Sequence, residues 1–303
     1  MAESLLTVVV AILVNFAIAL AKYVAAFFTG SASMLAEAIH STVDTGNEAL
    51  LLLGWHRARK PADEQHPFGY GQEIYFWSLV VAIVIFGLGG GAAISEGAWR
   101  IVEPHKLENI AWNYAVLGIA LVFEAVSWVV AYRAVLGEQP DMGVIAAVRR
   151  SKDPSRFVVF LEDTAAIIGL LIALVVGTLL ASLFPELYLD AIASVLIGLL
   201  LLVTAIFLMA KTRSLLIGES ADKEIVDGVR ALLDADAQIE CVERIITTQF
   251  APEHVIVNLD IRFAPNLSSD ELPHAIDRIE RAIQERFPEI REMFIEAQAL
   301  TAR

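Results

Sequence analysis

The residues best equipped for chemistry lie where the surrounding sequence is least hospitable to charge. His40-Ser-Thr-Val-Asp44 sits in a largely apolar stretch with Glu37 and Asn47 on either side. Glu162-Asp163 interrupts a second such stretch, between Phe157-Val-Val-Phe-Leu161 and Thr164-Ala-Ala-Ile-Ile-Gly-Leu170. On a helix, His40 and Asp44 fall one turn and about 40° apart, and Glu37 and Asn47 share their broad face. An imidazole nitrogen and a carboxylate oxygen so placed can reach one divalent cation, and borderline metals such as Zn²⁺ accept mixed ligands. Such ligands bind metal only when deprotonated, so protons compete for the same atoms, and histidine, with an ordinary pKa of roughly 6.5, changes charge in the relevant range. The bland alternative is a hydrogen bond that positions two helices. The acidic pair in a second apolar stretch favours a ligand site, because a charge at the bilayer centre costs roughly 2.5–3.5 kcal/mol and usually lines an ion or substrate path. Asn15, Lys22, Glu124 and Asp190 also interrupt apolar stretches, and they are expected to neutralise one another across a helix bundle. No HExxH segment and no nucleophile accompany His40 and Asp44, so a hydrolytic metal centre, and enzyme activity with it, is not expected.

These residues need helices to hold them. The chain is 57% hydrophobic, above the roughly 45–50% of soluble domains. Apolar spans are read near 5–28, 33–55, 74–99, 110–136, 157–183 and 187–210, each able to cross a hydrocarbon core of ~30 Å. The sequence therefore predicts six transmembrane helices. The first lacks a basic leader and a small-residue cleavage site, so it is expected to be retained. Arg57, Arg59 and Lys60 follow the second span, Arg149, Arg150, Lys152 and Arg156 lie between the fourth and fifth, and Lys211 and Arg213 end the sixth. The 1–2 and 5–6 connections carry no basic residue, which places both termini in the cytoplasm, with Arg100 and Lys106 running against the trend. Gly87, Gly89, Gly90 and Gly91 in the third span are expected to allow close helix packing.

The net charge of −14 argues against nucleic acid as a partner. The division falls at 1–213, the membrane domain, and 214–303, a cytoplasmic tail with 9 Lys and Arg against 18 Asp and Glu. In the tail, 222–234 has helical apolar spacing, while 242–250 and 254–263 alternate as strands joined at Ala251-Pro-Glu253. Ser268-Ser-Asp-Glu271 has the form of a capping box that opens a helix to about Phe287, and Met293–Ala297 completes an α-β-β-α-β order. The single Cys241 is expected to be a strand residue rather than a reactive thiol.

The run from Gly30 to Asn47, the loop His66-Pro-Phe-Gly-Tyr-Gly-Gln-Glu73 and the six-span plan with a small tail resemble the cation diffusion facilitator family. The resemblance implies a homodimeric exporter of divalent cations, commonly zinc, driven by proton entry through alternating access in a lipid bilayer. It also implies a ferredoxin-like α+β regulatory domain at the dimer interface. Carried over by position, His40, Asp44 and Asp163 are three transport ligands, while Val159 stands at the fourth position and cannot bind metal. Glu162, Asn47 or water would complete the set. A second site in the 2–3 loop would use Asp63 and His66, with Tyr70 at the third position; the other reading of His66 is a loop anchor. In the tail, Asn258, Glu296 and Gln298 replace expected His or Asp ligands, so a regulatory metal cluster is not expected. These departures resemble a subgroup that includes the mitochondrial and nuclear-associated zinc transporter of animals, which also has Glu-Asp in span five. Zn²⁺ is preferred as cargo, with Mn²⁺, Fe²⁺, Co²⁺ and Cd²⁺ open, and no prosthetic group is implied. The compact chain without a transit segment suggests a bacterial inner membrane. The competing class is a non-transporting membrane scaffold with a degraded metal site.

Overall fold

The computed structural model describes residues 2–104, 107–137, 143–184, 188–265, 267–268 and 270–298, with side chains from 15 to 297. Lys106, Ser269, residues 185–187 and the side chain of Gln298, which enter the expectations above, lie outside the described residues. The chain divides into two compact units, one of residues 1–59 and 73–213, the other of 60–72 and 214–303.

The first unit is helical: α1 (Ala2–Thr29), α2 (Ala32–Ala58), α3 (Glu73–Val84), α4 (Ala92–Val102), α5 (Ala111–Leu136), α6 (Val144–Arg150), α7 (Pro154–Ile172), α8 (Ala181–Leu183) and α9 (Leu189–Ile217). Among the described residues, four segments are long and apolar enough to cross a membrane: Glu73–Val102, Ala111–Leu136, Pro154–Leu183 and Leu189–Ile217. The protein is an integral membrane protein. Helix α2 is 27 residues long, but Glu37, His40, Asp44 and Glu48 along it lower its apolarity. Gly30, at φ 64°, makes the turn between α1 and α2, and the Ser31 hydroxyl then accepts from Met34 N at 3.1 Å to cap α2. Helix α7 begins at Pro154, whose missing N–H costs nothing in a first turn, and Asp153 caps it by accepting from Ser155 N at 3.0 Å.

Two helices loosen into π-helical segments, Ile85–Gly91 between α3 and α4 and Ala173–Leu180 between α7 and α8. Gly89 and Gly90 serve close packing, as expected, since a Cβ on Gly90 would lie 2.7 Å from Leu202 Cδ2 and one on Gly89 3.3 Å from Leu201 Cδ1. Gly87 has no such neighbour. The last span runs to Ile217, beyond the expected 210, because Lys211-Thr-Arg213 are compatible with a helix. It stops where Gly218 takes φ 115°.

The second unit contains α10 (Lys223–Asp234), β1 (Ile239–Ala251), β2 (His254–Phe263), α11 (Glu271–Arg286) and β3 (Ile290–Gln298). The sheet order is β1-β2-β3, with β1 antiparallel to β2 and β2 parallel to β3 through the α11 crossover. Val255, Val257, Leu259 and Ile261 alternate inward and pack with Val229, Leu233, Ile279 and Ile283 of the helices. Strand β1 starts earlier than expected. Register shifts after Ile239 and Val242 each insert a residue, so Ile239, Val242 and Ile245 face the core at a spacing of three. The expected capping box is rearranged. Ser268 gives both its N–H and its hydroxyl to the Glu271 carboxylate, at 2.9 and 2.7 Å, and the Asp270 cap makes no side-chain bond. Cys241 lies on β1 as an exposed free thiol.

Candidate metal centre

On the polar face of α2, Glu37, His40, Ser41 and Asn47 are buried and Asp44 and Glu48 partly so. His40 is 2% exposed and its Nε2 lies 3.5 Å from Asp44 Oδ2, yet neither ring nitrogen makes a hydrogen bond. Asp44 keeps Oδ1 unbonded, and Asn47, fully buried, donates from Nδ2 to Glu162 Oε1 of α7 at 2.7 Å. This bond brings the two expected ligand helices together directly. Asp163, the neighbour of Glu162, accepts from Ser127 Oγ of α5 at 2.8 Å. One turn of α5 also meets α7 through Trp128 Nε1, which donates to Thr164 Oγ1 at 2.9 Å.

Between these helices lies a cavity of about 20 Å³ whose wall includes Ser41, Asp44, Glu48, Glu124, Val159, Glu162 and Asp163. That is room for about one water or one small ion. Glu162 and Asp163 both reach it although they are adjacent in sequence, and Val159 occupies the wall where a fourth ligand was missing. His40, next to Asp44, is not part of the wall. Among the described residues, no three of His, Cys, Asp and Glu converge as a ready-made metal set.

The polar groups expected to neutralise one another do not do so. Asn15 Nδ2 donates to Glu48 Oε1 at 2.7 Å; Lys22 Nζ, completely buried, donates to Glu37 Oε2 at 3.1 Å and Ser41 Oγ at 2.7 Å; Glu124 faces the cavity; and Asp190 bonds to residues 31–33. The reason is proximity. Helix α1 lies along α2, whose carboxylates and hydroxyls are the nearest partners, and a buried charge takes the closest satisfied geometry. Glu48, Ser41 and Ser127 were not singled out from sequence. Glu48 had a signal, since His40, Asp44 and Glu48 repeat every four residues on one face.

The loop pair Asp63 and His66 forms a closed turn. Asp63 Oδ1 accepts from Gln65 N at 3.0 Å and His66 N at 2.7 Å, and Oδ2 accepts from the Tyr70 hydroxyl at 2.7 Å. The His66 and Tyr70 rings lie 4.2 Å apart, and Gly69, at φ 80°, returns the chain by donating to His66 O. The Tyr70 hydrogen bond, then that of His66 N, holds the Asp63 carboxyl below its ordinary range.

The sequence matches the family model for the cation efflux transmembrane domain over residues 8–217. It is 33% identical over 258 residues to the mitochondrial proton-coupled zinc antiporter SLC30A9 of Homo sapiens, covering 84% of this chain and 45% of that protein. Metal tolerance protein C4 of Arabidopsis thaliana is 32% identical over 228 residues, covering 75% and 50%. Magnetosome protein MamB of Magnetospira sp. (strain QH-2) is 29% identical over 185 residues, covering 56% and 60%. The chain spans about half the length of the first two of these relatives.

Proposed function

The chain belongs to the cation diffusion facilitator family, and from that premise we propose that it exports a divalent cation, Zn²⁺ before any other, from the cytoplasm in exchange for protons. The observation that carries this reading is His40, buried with both nitrogens unbonded, 3.5 Å from Asp44 on the helix that faces Glu162 and Asp163. An unsatisfied buried polar group costs about 1–3 kcal/mol, which a ligand would recover. A cavity of about 20 Å³ suits a stripped ion and not an organic solute, whose pockets begin near 300 Å³. The name of the animal relative, a proton-coupled zinc antiporter, supports both cargo and counter-ion.

In this reading residues 1–213 are a membrane domain of six spans, α1 and α2 joining the four apolar segments. Residues 214–303 are a cytoplasmic ferredoxin-like domain that pairs two copies. Both termini face the cytoplasm, in the inner membrane of a bacterium; the animal relatives are titled mitochondrial. Asp44 and Asp163 hold the cargo from the cavity wall, and His40, beside Asp44, turns in to complete the set as the helices rock. Glu162 alternates between Asn47 and the ion as the helices rock, and water fills the position that Val159 leaves open. Because these atoms bind a metal only after losing protons, one site couples the two fluxes. The closed turn of Asp63, His66 and Tyr70 favours a loop anchor over a second metal site.

A non-transporting scaffold is the second reading, favoured by Val159 in the cavity wall. Flux in proteoliposomes separates the two. His40→Ala and Asp44→Ala are expected to abolish metal uptake with the fold retained, as read by circular dichroism, and unchanged flux in either would remove the proposed site.

A further inference from the structure

Asp190, in the first turn of α9, has no part in the cargo site, and its carboxylate holds the start of the ligand helix α2 at residues 31–33. Oδ1 accepts from Ser31 Oγ at 2.6 Å, Ser33 Oγ at 2.6 Å and Ser33 N at 3.2 Å, and Oδ2 accepts from Ala32 N at 2.5 Å. The first N–H groups of a helix have no partner within it, and the positive end of its dipole favours an anion. Here the anion is supplied by a helix about 160 residues away in sequence. The same point is closed from a third side. A Cβ on Gly177, in the π-helical segment that extends α7, would collide with the Ser33 hydroxyl and lie 3.2 Å from Ala193 Cβ. Ser31, Ala32, Ser33 and Ala193 are at most 1% exposed.

We propose that Asp190 is a positioning residue that latches α2 to α9 at the membrane face opposite the termini, closing the exit on that side until cargo release. This rests on the exporter reading above. The ligand helix α2 and the π-helical extension of α7 meet α9 at this point, and cargo leaving on that face must part them. The π-helical segment of α7 gives that helix a place to yield, since its backbone bonds are already rearranged. The groups freed when the latch opens are hydroxyls, amides and one carboxylate at a membrane surface, which water can satisfy. Opening therefore strands no buried polar group.

The test uses full-length protein in proteoliposomes with Cys241→Ser as background and two reporters, Ala193→Cys beside the latch and Val158→Cys, buried in the first turns of α7 at the other face. A membrane-impermeant maleimide is applied from each side without metal. With Asp190 intact neither thiol should react quickly. Asp190→Asn should raise labelling at position 193 about tenfold or more, the scale of losing charge-assisted hydrogen bonds, from the face opposite the termini only. Position 158 should stay protected. Equal labelling of both reporters would mean general loosening, and labelling of neither would mean that Asp190 holds nothing shut; either result overturns the proposal. Should Asp190→Asn fail to fold, Ser33→Ala removes one hydroxyl donor, keeps the Ser31 cap and carries the same one-sided expectation. Labelling is read without cargo, so a failure of zinc transport leaves this result standing apart.

Discussion

An imidazole packed into a helix bundle with no hydrogen bond at either nitrogen is an unfinished arrangement, and His40 is so placed because α2 turns Glu37, His40, Ser41 and Asn47 inward. The carboxylates around it are held in different ways, and that determines what each substitution should do. Asp163, a ligand in the site we propose, accepts a hydrogen bond from Ser127 Oγ, and partners that orient a metal ligand are worth about 10–100-fold in affinity. Ser127→Ala should therefore weaken Zn²⁺ binding by about tenfold or more, measured by calorimetry on detergent-solubilised protein, with little change in thermal stability. Glu37 behaves otherwise. Lys22 bonds one of its oxygens, Oε2, and leaves Oε1 buried and unbonded, so the carboxylate is neutralised by a fixed cation where His40, on the same face, has none. The buried ionisable stripe of α2 was legible in the sequence because ionisable residues stand out in apolar helices. The partner of Lys22 was not, because hydropathy says which residues are buried and not which helices touch.

At the scale of elements, the alternation from Val255 to Ile261 fixed β2 from sequence to the residue, whereas β1 was read short. Its bulges place core residues three apart and imitate a helical spacing. The core they build predicts a cost. Leu259, 1% exposed among Val229, Ile279 and Ile283, should lose about 2–5 kcal/mol of stability as Leu259→Ala, seen as a lower unfolding midpoint of the tail. The 60–72 loop predicts a pH dependence. Because the Asp63 carboxyl is depressed, its bonds stabilise the turn above the unfolded pKa of about 3.9 and are lost as pH falls through the lower folded value. Hydrogen exchange at Gln65 and His66 amides should thus stay slow to about pH 4. In Tyr70→Phe the largest cause of the shift is gone, and protection should fail at a higher pH than in the parent protein.

For the whole molecule, a cavity one ion wide, walled by carboxylates from α2, α5 and α7, is joined in one chain to an αββαβ unit with a well-packed core. The division of labour we propose is exchange in the membrane and pairing through the tail. Light scattering of the detergent-solubilised chain should accordingly give twice the 33.0 kDa of one copy once bound detergent is subtracted. The most direct test of the central claim is proton movement in proteoliposomes carrying a pH-sensitive dye, with Zn²⁺ added outside and Asp44→Ala compared in parallel. The account predicts a proton flux opposite to the Zn²⁺ gradient that vanishes in Asp44→Ala. No flux from folded, dimeric protein with Zn²⁺, Mn²⁺, Fe²⁺, Co²⁺ or Cd²⁺ would contradict it and leave the scaffold in its place.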